Sequence, residues 1–252
     1  MGKTIAVSNQ KGGVGKTSTC INLAAGIALK GKKVLLCDID PQGNATTGLG
    51  IEKGSLKKSM YNVLLGDAAA KDAIVPTAIE NLFILPSNTD LAGVEVELVS
   101  VRGRDKKLRE ALESVKNAYD YIFIDCPPAI GILTVNGLTA CNSVLVPIQS
   151  EFFALEGVAQ LMNTFKLVKR SLNPSIEIEG VVITMYDGRA LVSRQTREEI
   201  VKYFGKKVFE TVIPRNVRIS EAPSYGLPVI LHDKRCKGTI AYNALVEEFL
   251  GR

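Results

Sequence analysis

Tryptophan is absent from this 252-residue chain, histidine occurs once, and aromatic residues amount to 6%. The core must therefore be packed from Val, Ile, Leu and Ala. The five cysteines, Cys20, Cys37, Cys126, Cys141 and Cys236, form no CxxC pair, and His232 has no ligand-type neighbour at a useful spacing. No metal site of thiolates and imidazoles is expected. Cys37 and Cys126 lie inside apolar runs and read as small buried hydrophobes of a reducing compartment. No apolar run reaches transmembrane length, and the chain enters a polar, glycine-rich stretch by residue 9, unlike a secretory signal. The expectation is a cytoplasmic protein. Charge imbalance is also small: the net charge is +5, with 16 basic and 16 acidic residues over 1–164 against 15 and 10 over 165–252. The excess sits in the last third, where it fits either an anionic partner or a solvated basic face.

What is present is a regular alternation. Short Val/Ile/Leu-rich runs at 4–8, 33–37, 82–85, 121–124, 143–148, 180–184 and 208–213 alternate with helix-patterned segments at 17–30, 104–117, 154–171, 194–204 and 239–250. That order predicts an α/β fold: a three-layer arrangement with a mostly parallel, twisted sheet of about seven to eight strands and helices on both faces. No repeat, low-complexity tract or linker interrupts it, so a single domain over 1–252 is expected.

The first strand runs into Asn9-Gln-Lys-Gly-Gly-Val-Gly-Lys-Thr-Ser18 and then a helix pattern. Gly12, Gly13 and Gly15 let the backbone turn tightly, so that its N–H groups, with those of Val14 and Ser18 at the helix start, face phosphate oxygens. In this context Lys16 reaches the β- and γ-phosphates of a nucleotide and Thr17 ligates Mg²⁺, so ATP and Mg²⁺ are the expected ligands of a P-loop NTPase. The strict pattern fails at its first glycine, which falls on Gln10, while a second lysine, Lys11, precedes the glycine pair. Two further apolar strands end in carboxylates: one in Asp38 and Asp40, the other in Asp125 followed by Cys126-Pro-Pro. In a parallel sheet these ends open onto one crevice, so three carboxylates converge there. Thr17, Asp40 and Asp125 are the candidate magnesium ligands, while Asp38 reads as a turn cap.

The lysine-first loop KGGVGKT, the strand end DIDPQGN, the strand YIFIDCPP and the segment PRNVRISEAPSYG at 214–226 together resemble the deviant Walker ATPases of the ParA/MinD group. The resemblance covers nearly the whole chain and is closest to the chromosome-partitioning (ParA/Soj) branch. It implies an ATP-dependent homodimer with two nucleotides sandwiched between subunits. Lys11 would cross to the partner's nucleotide, and Asp40 would position the attacking water. Asp125 would be the Walker B carboxylate, and Pro214 and Asn216 would lie against adenine. It also implies sequence-independent binding of double-stranded DNA through Arg189 and Arg218, hence association with the nucleoid, and stimulation by a ParB/Spo0J-type protein.

Three relatives within the group fit less well. A MinD-like membrane ATPase carries basic residues on the polar face of a terminal amphipathic helix, and residues 238–251 hold none, so no membrane partner is expected. The last helix, with Ile240, Leu245, Val246, Phe249 and Leu250, reads instead as packing against the sheet. An iron–sulfur reductase of the group would place a cysteine three positions after Asp125, where this chain has Pro128. A helix-turn-helix domain ahead of the loop is not expected, because the loop begins by residue 9. A nucleotide switch positioning cargo without DNA remains the alternative function, and Asp187 and Glu221 are possible ion-pair partners that would compete for the two arginines.

Overall fold

The computed structural model describes residues 2–151 and 154–252. Its strands are β1 (Lys3–Val7), β2 (Val34–Asp38), β3 (Val75–Pro76), β4 (Leu82–Leu85), β5 (Tyr121–Asp125), β6 (Ser143–Gln149), β7 (Glu177–Tyr186) and β8 (Val208–Pro214). They form one sheet in the order β3-β4-β2-β5-β1-β6-β7-β8. All pairs are parallel except β3 with β4 at the edge. The helices are α1 (Lys16–Leu29), α2 (Asn44–Gly48), α3 (Met60–Leu65), α4 (Ala70–Ala73), α5 (Val94–Glu97), α6 (Lys107–Glu113), α7 (Ile132–Ala140), α8 (Ala154–Ser171), α9 (Leu191–Phe204), α10 (Val217–Glu221), α11 (Val229–His232) and α12 (Lys237–Leu250).

The three layers follow from side chains alternating across the pleat. Along β2, Val34 and Leu36 enter one apolar core and Leu35 and Cys37 the other. The first core is closed by α1 and α12. The second is closed by α3 and α6–α9. Both faces being covered explains why the central strands read as continuous apolar runs. Between α1 and the closing helix α12 the contact is backbone-close: a Cβ at Gly26 would collide with the Val246 side chain. In α12 the residues Leu245, Val246 and Phe249 are buried as expected, but Ile240 is 61% exposed and belongs to the outer face.

All seven expected strands are present, with β3 added. The helix expected over 104–117 is instead a 3-10 turn at Arg104–Lys106, α6, and a second 3-10 turn at Lys116–Ala118. At the N-terminal break Asn136 of α7 intervenes: its Oδ1 accepts from Leu108 N (3.0 Å) and its Nδ2 donates to Arg104 O (2.8 Å), capping the start of α6 from outside. The α7 helix itself carries no amphipathic stripe, because its residues 133, 134 and 136–139 are all buried. Its Gly137 passes so close to β5 that a Cβ would come within 2.9 Å of Cys126 Sγ.

Candidate functional site

The C-terminal ends of β1, β2, β5, β6 and β7 open on one edge, and the loop from Ser8 to Gly15 lies across it. Glycine is required at Gly13 and Gly15, where φ is +73° and +84°. Gly15 is also the residue from which α1 springs. The loop is held from below. Asn9, 2% exposed, donates to Pro147 O at 2.7 Å and accepts from Lys11 N, while Thr184 Oγ1 donates to Val14 O at 2.8 Å. Lys16 folds back over the loop, its Nζ donating to Lys11 O at 2.9 Å. Burial pulls its ammonium below the usual lysine range, against the attraction of Asp125, Cys126 and Asp40.

The three carboxylates lie near one another but differ in how they are used. Asp38 and Asp125 end adjacent strands in register. Asp38 is fully engaged, accepting from Thr46 N (2.8 Å), Thr46 Oγ1 (2.7 Å) and Asp40 N (3.2 Å), and burial raises its pKa to about 6 despite those bonds. It is a structural cap for the turn into α2, as its sequence context suggested. Asp40 accepts from Gln42 N at 2.9 Å, and its carbonyl is held by Ser87 Oγ at 2.7 Å. Asp125 is fully buried and neither carboxylate oxygen has a hydrogen-bond partner among the described residues. Burial and the nearby Asp38 push it well above the usual carboxylate range, with Thr17 and Lys16 pulling the other way. The three carboxylates thus share one edge, but only Asp40 and Asp125 are available to a ligand there. Asp38 spends its lone pairs on Thr46, and no cluster of three or more His, Cys, Asp or Glu side chains arranged for a cation exists among the described residues. An orphaned buried carboxylate beside a threonine hydroxyl still fits a hard cation that takes its remaining oxygens from water and phosphate.

Beside the loop a cavity of about 440 Å³ is lined by Gly15, Ser18, Met185, Pro214 and Asn216. It is mostly apolar and of a size for a nucleobase with part of its sugar. Asn216 Oδ1 caps α10 by accepting from Arg218 N, and its amide N–H₂ makes no hydrogen bond among the described residues. Met185 stands at φ +51°, a left-handed conformation that costs a residue with a Cβ about 1–2 kcal/mol. Sequence reading gave no sign of it.

Lys11, expected to reach outward, forms an ion pair with Glu151 of its own chain. Glu151 was overlooked, although an acidic residue directly after β6 could have been read as another group on the same sheet edge. Arg189 and Arg218 lie in segments following β7 and β8, and both are ion-paired. Arg189 donates to both oxygens of Asp187 at 3.1 and 3.2 Å, and Arg218 donates to Glu221 at 2.8 Å and lies 3.5 Å from Asp233. The competing partners named from sequence are therefore occupied. The Arg189 side chain is nevertheless 93% exposed, and exposed pairs of this kind give way readily to a phosphate.

No helix among the described residues is long and apolar enough to cross a membrane. A family model described as "AAA domain" matches residues 2–178. The chain is 55% identical over 248 residues to the sporulation initiation inhibitor protein Soj of Bacillus subtilis, covering 98% of each protein. It is 50% identical over 252 residues to the chromosome partitioning protein ParA of Caulobacter vibrioides, covering 99% of this chain and 94% of that protein. Among solved structures, cobyrinic acid a,c-diamide synthase of Mycobacterium smegmatis with bound ADP and magnesium aligns over all of this chain and 97% of its own, at TM-score 0.87 and 37% identity. The septum site-determining protein MinD of Pyrococcus horikoshii, complexed with Mg-ADP, aligns over 98% of this chain and 96% of its own, at TM-score 0.81 and 26% identity. With the phosphate-binding loop, the mostly parallel eight-stranded sheet and these relatives in agreement, the chain belongs to the family of ParA and Soj chromosome-partitioning ATPases.

Proposed function

We propose that this chain is one ATPase domain that binds Mg-ATP at the loop 9–18, pairs into a homodimer around two nucleotides, binds double-stranded DNA without sequence preference, and is released when a ParB-type protein stimulates hydrolysis. The observation that carries the reading is Asp125: a fully buried carboxylate with both oxygens unpartnered, next to Thr17 and Lys16. Such a group costs stability unless a ligand completes it. Thr17 and Asp125 would hold Mg²⁺, with Asp40 at the same edge, and the ion would neutralise charge on the phosphates.

The chain's own residues do the rest. Backbone N–H groups of 12–18 and the Lys16 ammonium orient the triphosphate, and Pro214, Asn216 and Met185 enclose the base. Asp40 holds the attacking water. Positioning and charge neutralisation supply most of the catalysis in phosphoryl transfer, so turnover is slow without a partner. Lys11 leaves Glu151 for the nucleotide of a second copy, so dimerisation and hydrolysis are linked. This cycle places the protein in the cytoplasm, on the nucleoid.

Arg189 and Arg218 supply the DNA contact. Guanidinium groups stay ionised and bridge phosphate oxygens, and a dimer doubles their number. The test is co-sedimentation with unrelated duplex DNA in ATP and in ADP, followed by salt titrations of Arg189→Ala and Arg218→Ala. Binding should need ATP, and each lost phosphate contact should lower the magnitude of the log K against log salt slope by about 0.9. Variants that dimerise and keep the parental slope would move the DNA surface elsewhere. ATP-dependent dimers that bind no DNA would support a cargo-positioning switch instead.

A further inference from the structure

We propose that Met185 is a positioning residue, the backbone joint through which occupation of the base cavity is transmitted to Arg189. The proposal rests on the reading of Arg189 as a DNA contact.

Among the described residues only Asn81 and Met185 have positive φ without being glycine, at +64° and +51°. Asparagine tolerates that region well; methionine does not. The strain lies at an irregularity of the sheet. Between β7 and β8 the register runs from Ile183 opposite Val212 to Tyr186 opposite Pro214, so three steps on β7 match two on β8. The pair is parallel and slips twice, two steps on β7 against four on β8 from Val181 to Ile183 and then this extra residue in β7, so Met185 lies inside the second irregularity. A strained residue persists only where its surroundings over-determine it.

Those surroundings join the two sites. On the N-terminal side, Thr184 is pinned to the phosphate loop: its Oγ1 donates to Val14 O at 2.8 Å, and its carbonyl accepts from Ser150 N at 3.2 Å. On the C-terminal side, Asp187 N donates at 3.1 Å to Ser193 Oγ, which lies 2.7 Å from Ser150 Oγ. The Asp187 carboxylate then receives Arg189 N, Nε and Nη2. Met185 is thus held between the loop that takes the phosphates and the residue that holds the DNA arginine, while it also lines the base cavity. A nucleotide entering that cavity bears on the least comfortable backbone unit of β7, and the stored strain gives the segment 186–189 a second arrangement to move to.

Two substitutions separate backbone from side chain. Met185→Gly removes the strain and lets φ vary freely, whereas Met185→Ala removes the thioether but keeps an L-residue at the same φ. The readout is amide hydrogen exchange of residues 186–190, with no nucleotide and with Mg-ATP, in protein free of DNA. The parental chain and Met185→Ala should show several-fold different exchange between the two states, and in Met185→Gly the difference should collapse. In DNA titrations at nucleotide concentrations that saturate each variant, the ATP-to-ADP affinity ratio should collapse in the glycine variant alone. A glycine variant that keeps the parental exchange difference overturns the proposal. So does an alanine variant that loses it as fully as glycine, since the side chain would then carry the effect. Exchange that behaves as expected in a protein that binds no DNA would uphold the joint and overturn only the role given to Arg189.

Discussion

Replacing Asp125 by asparagine should make the ligand-free protein more stable while disabling it. In the parental chain the carboxylate is fully buried and both oxygens lack partners, a situation that costs about 1–3 kcal/mol for a single unsatisfied group. Asparagine keeps the shape and removes the charge. Its amide still lacks partners, however, and Lys16 loses a nearby counter-charge, so the net gain belongs at the low end, about 1 kcal/mol. In a chain of this size that raises the melting temperature by about 2–4 °C. The pH dependence has a definite sign. The folded Asp125 binds its proton more tightly than the unfolded chain does, so its contribution is lost as pH rises from the unfolded value, about 4, upward through the raised folded value. The advantage of Asp125→Asn should therefore widen as pH rises above about 4. Asp38, raised to about 6, is one of the charges that raise Asp125, so the variant also loses their mutual repulsion, which widens the advantage in the same direction. Saturating Mg-ATP, worth about 2.7 kcal/mol at one hundred times Kd, should raise the parental melt more than that of the variant. Phosphate release should fall about a hundredfold, the scale of one lost charge-organising group. Scanning calorimetry from pH 4 to 8, with and without Mg-ATP, reads the stabilities, and a phosphate-release assay reads the turnover. A variant that melts below the parent without ligand at neutral pH, or gains as much from Mg-ATP, would refute the assignment.

Lys16→Ala should abolish ATP binding in a calorimetric titration, because the ammonium folded over the loop supplies the point charge on the β- and γ-phosphates. Asp40→Ala should bind ATP with near-parental affinity, hydrolyse it poorly and accumulate as a dimer in size-exclusion chromatography, since the phosphate contacts survive while the water loses its holder. Gly26→Val should lower the melting temperature by about 2–10 °C, from about 1–3 kcal/mol of overpacking where α1 crosses Val246, with nucleotide affinity unchanged.

Local chemistry made the phosphate loop and the strands legible without coordinates. Glycines that must turn left-handed, a lysine and threonine opening a helix, and apolar runs ended by carboxylates are properties of neighbouring residues, and Gly13, Gly15 and the seven expected strands lie where those properties require. Where the outcome depended on residues distant in sequence, the reading ran out. Asn136 cuts the expected helix at 104–117 from 28 positions away. The buried α7 has no polar face to reveal its period. Asp38 and Asp125 both end apolar strands, and only Thr46, folding back onto one of them, makes that one a structural cap and leaves the other free for a ligand. Lys11 finds Glu151 across 140 positions, and Met185 is strained because β8 lies beside it out of step. The sequence by itself determined which residues can meet a triphosphate, because that depends on short-range backbone geometry and side-chain type. Tertiary structure alone decided which of those groups are already spoken for, because a hydrogen bond or an ion pair is settled by whatever the fold brings alongside.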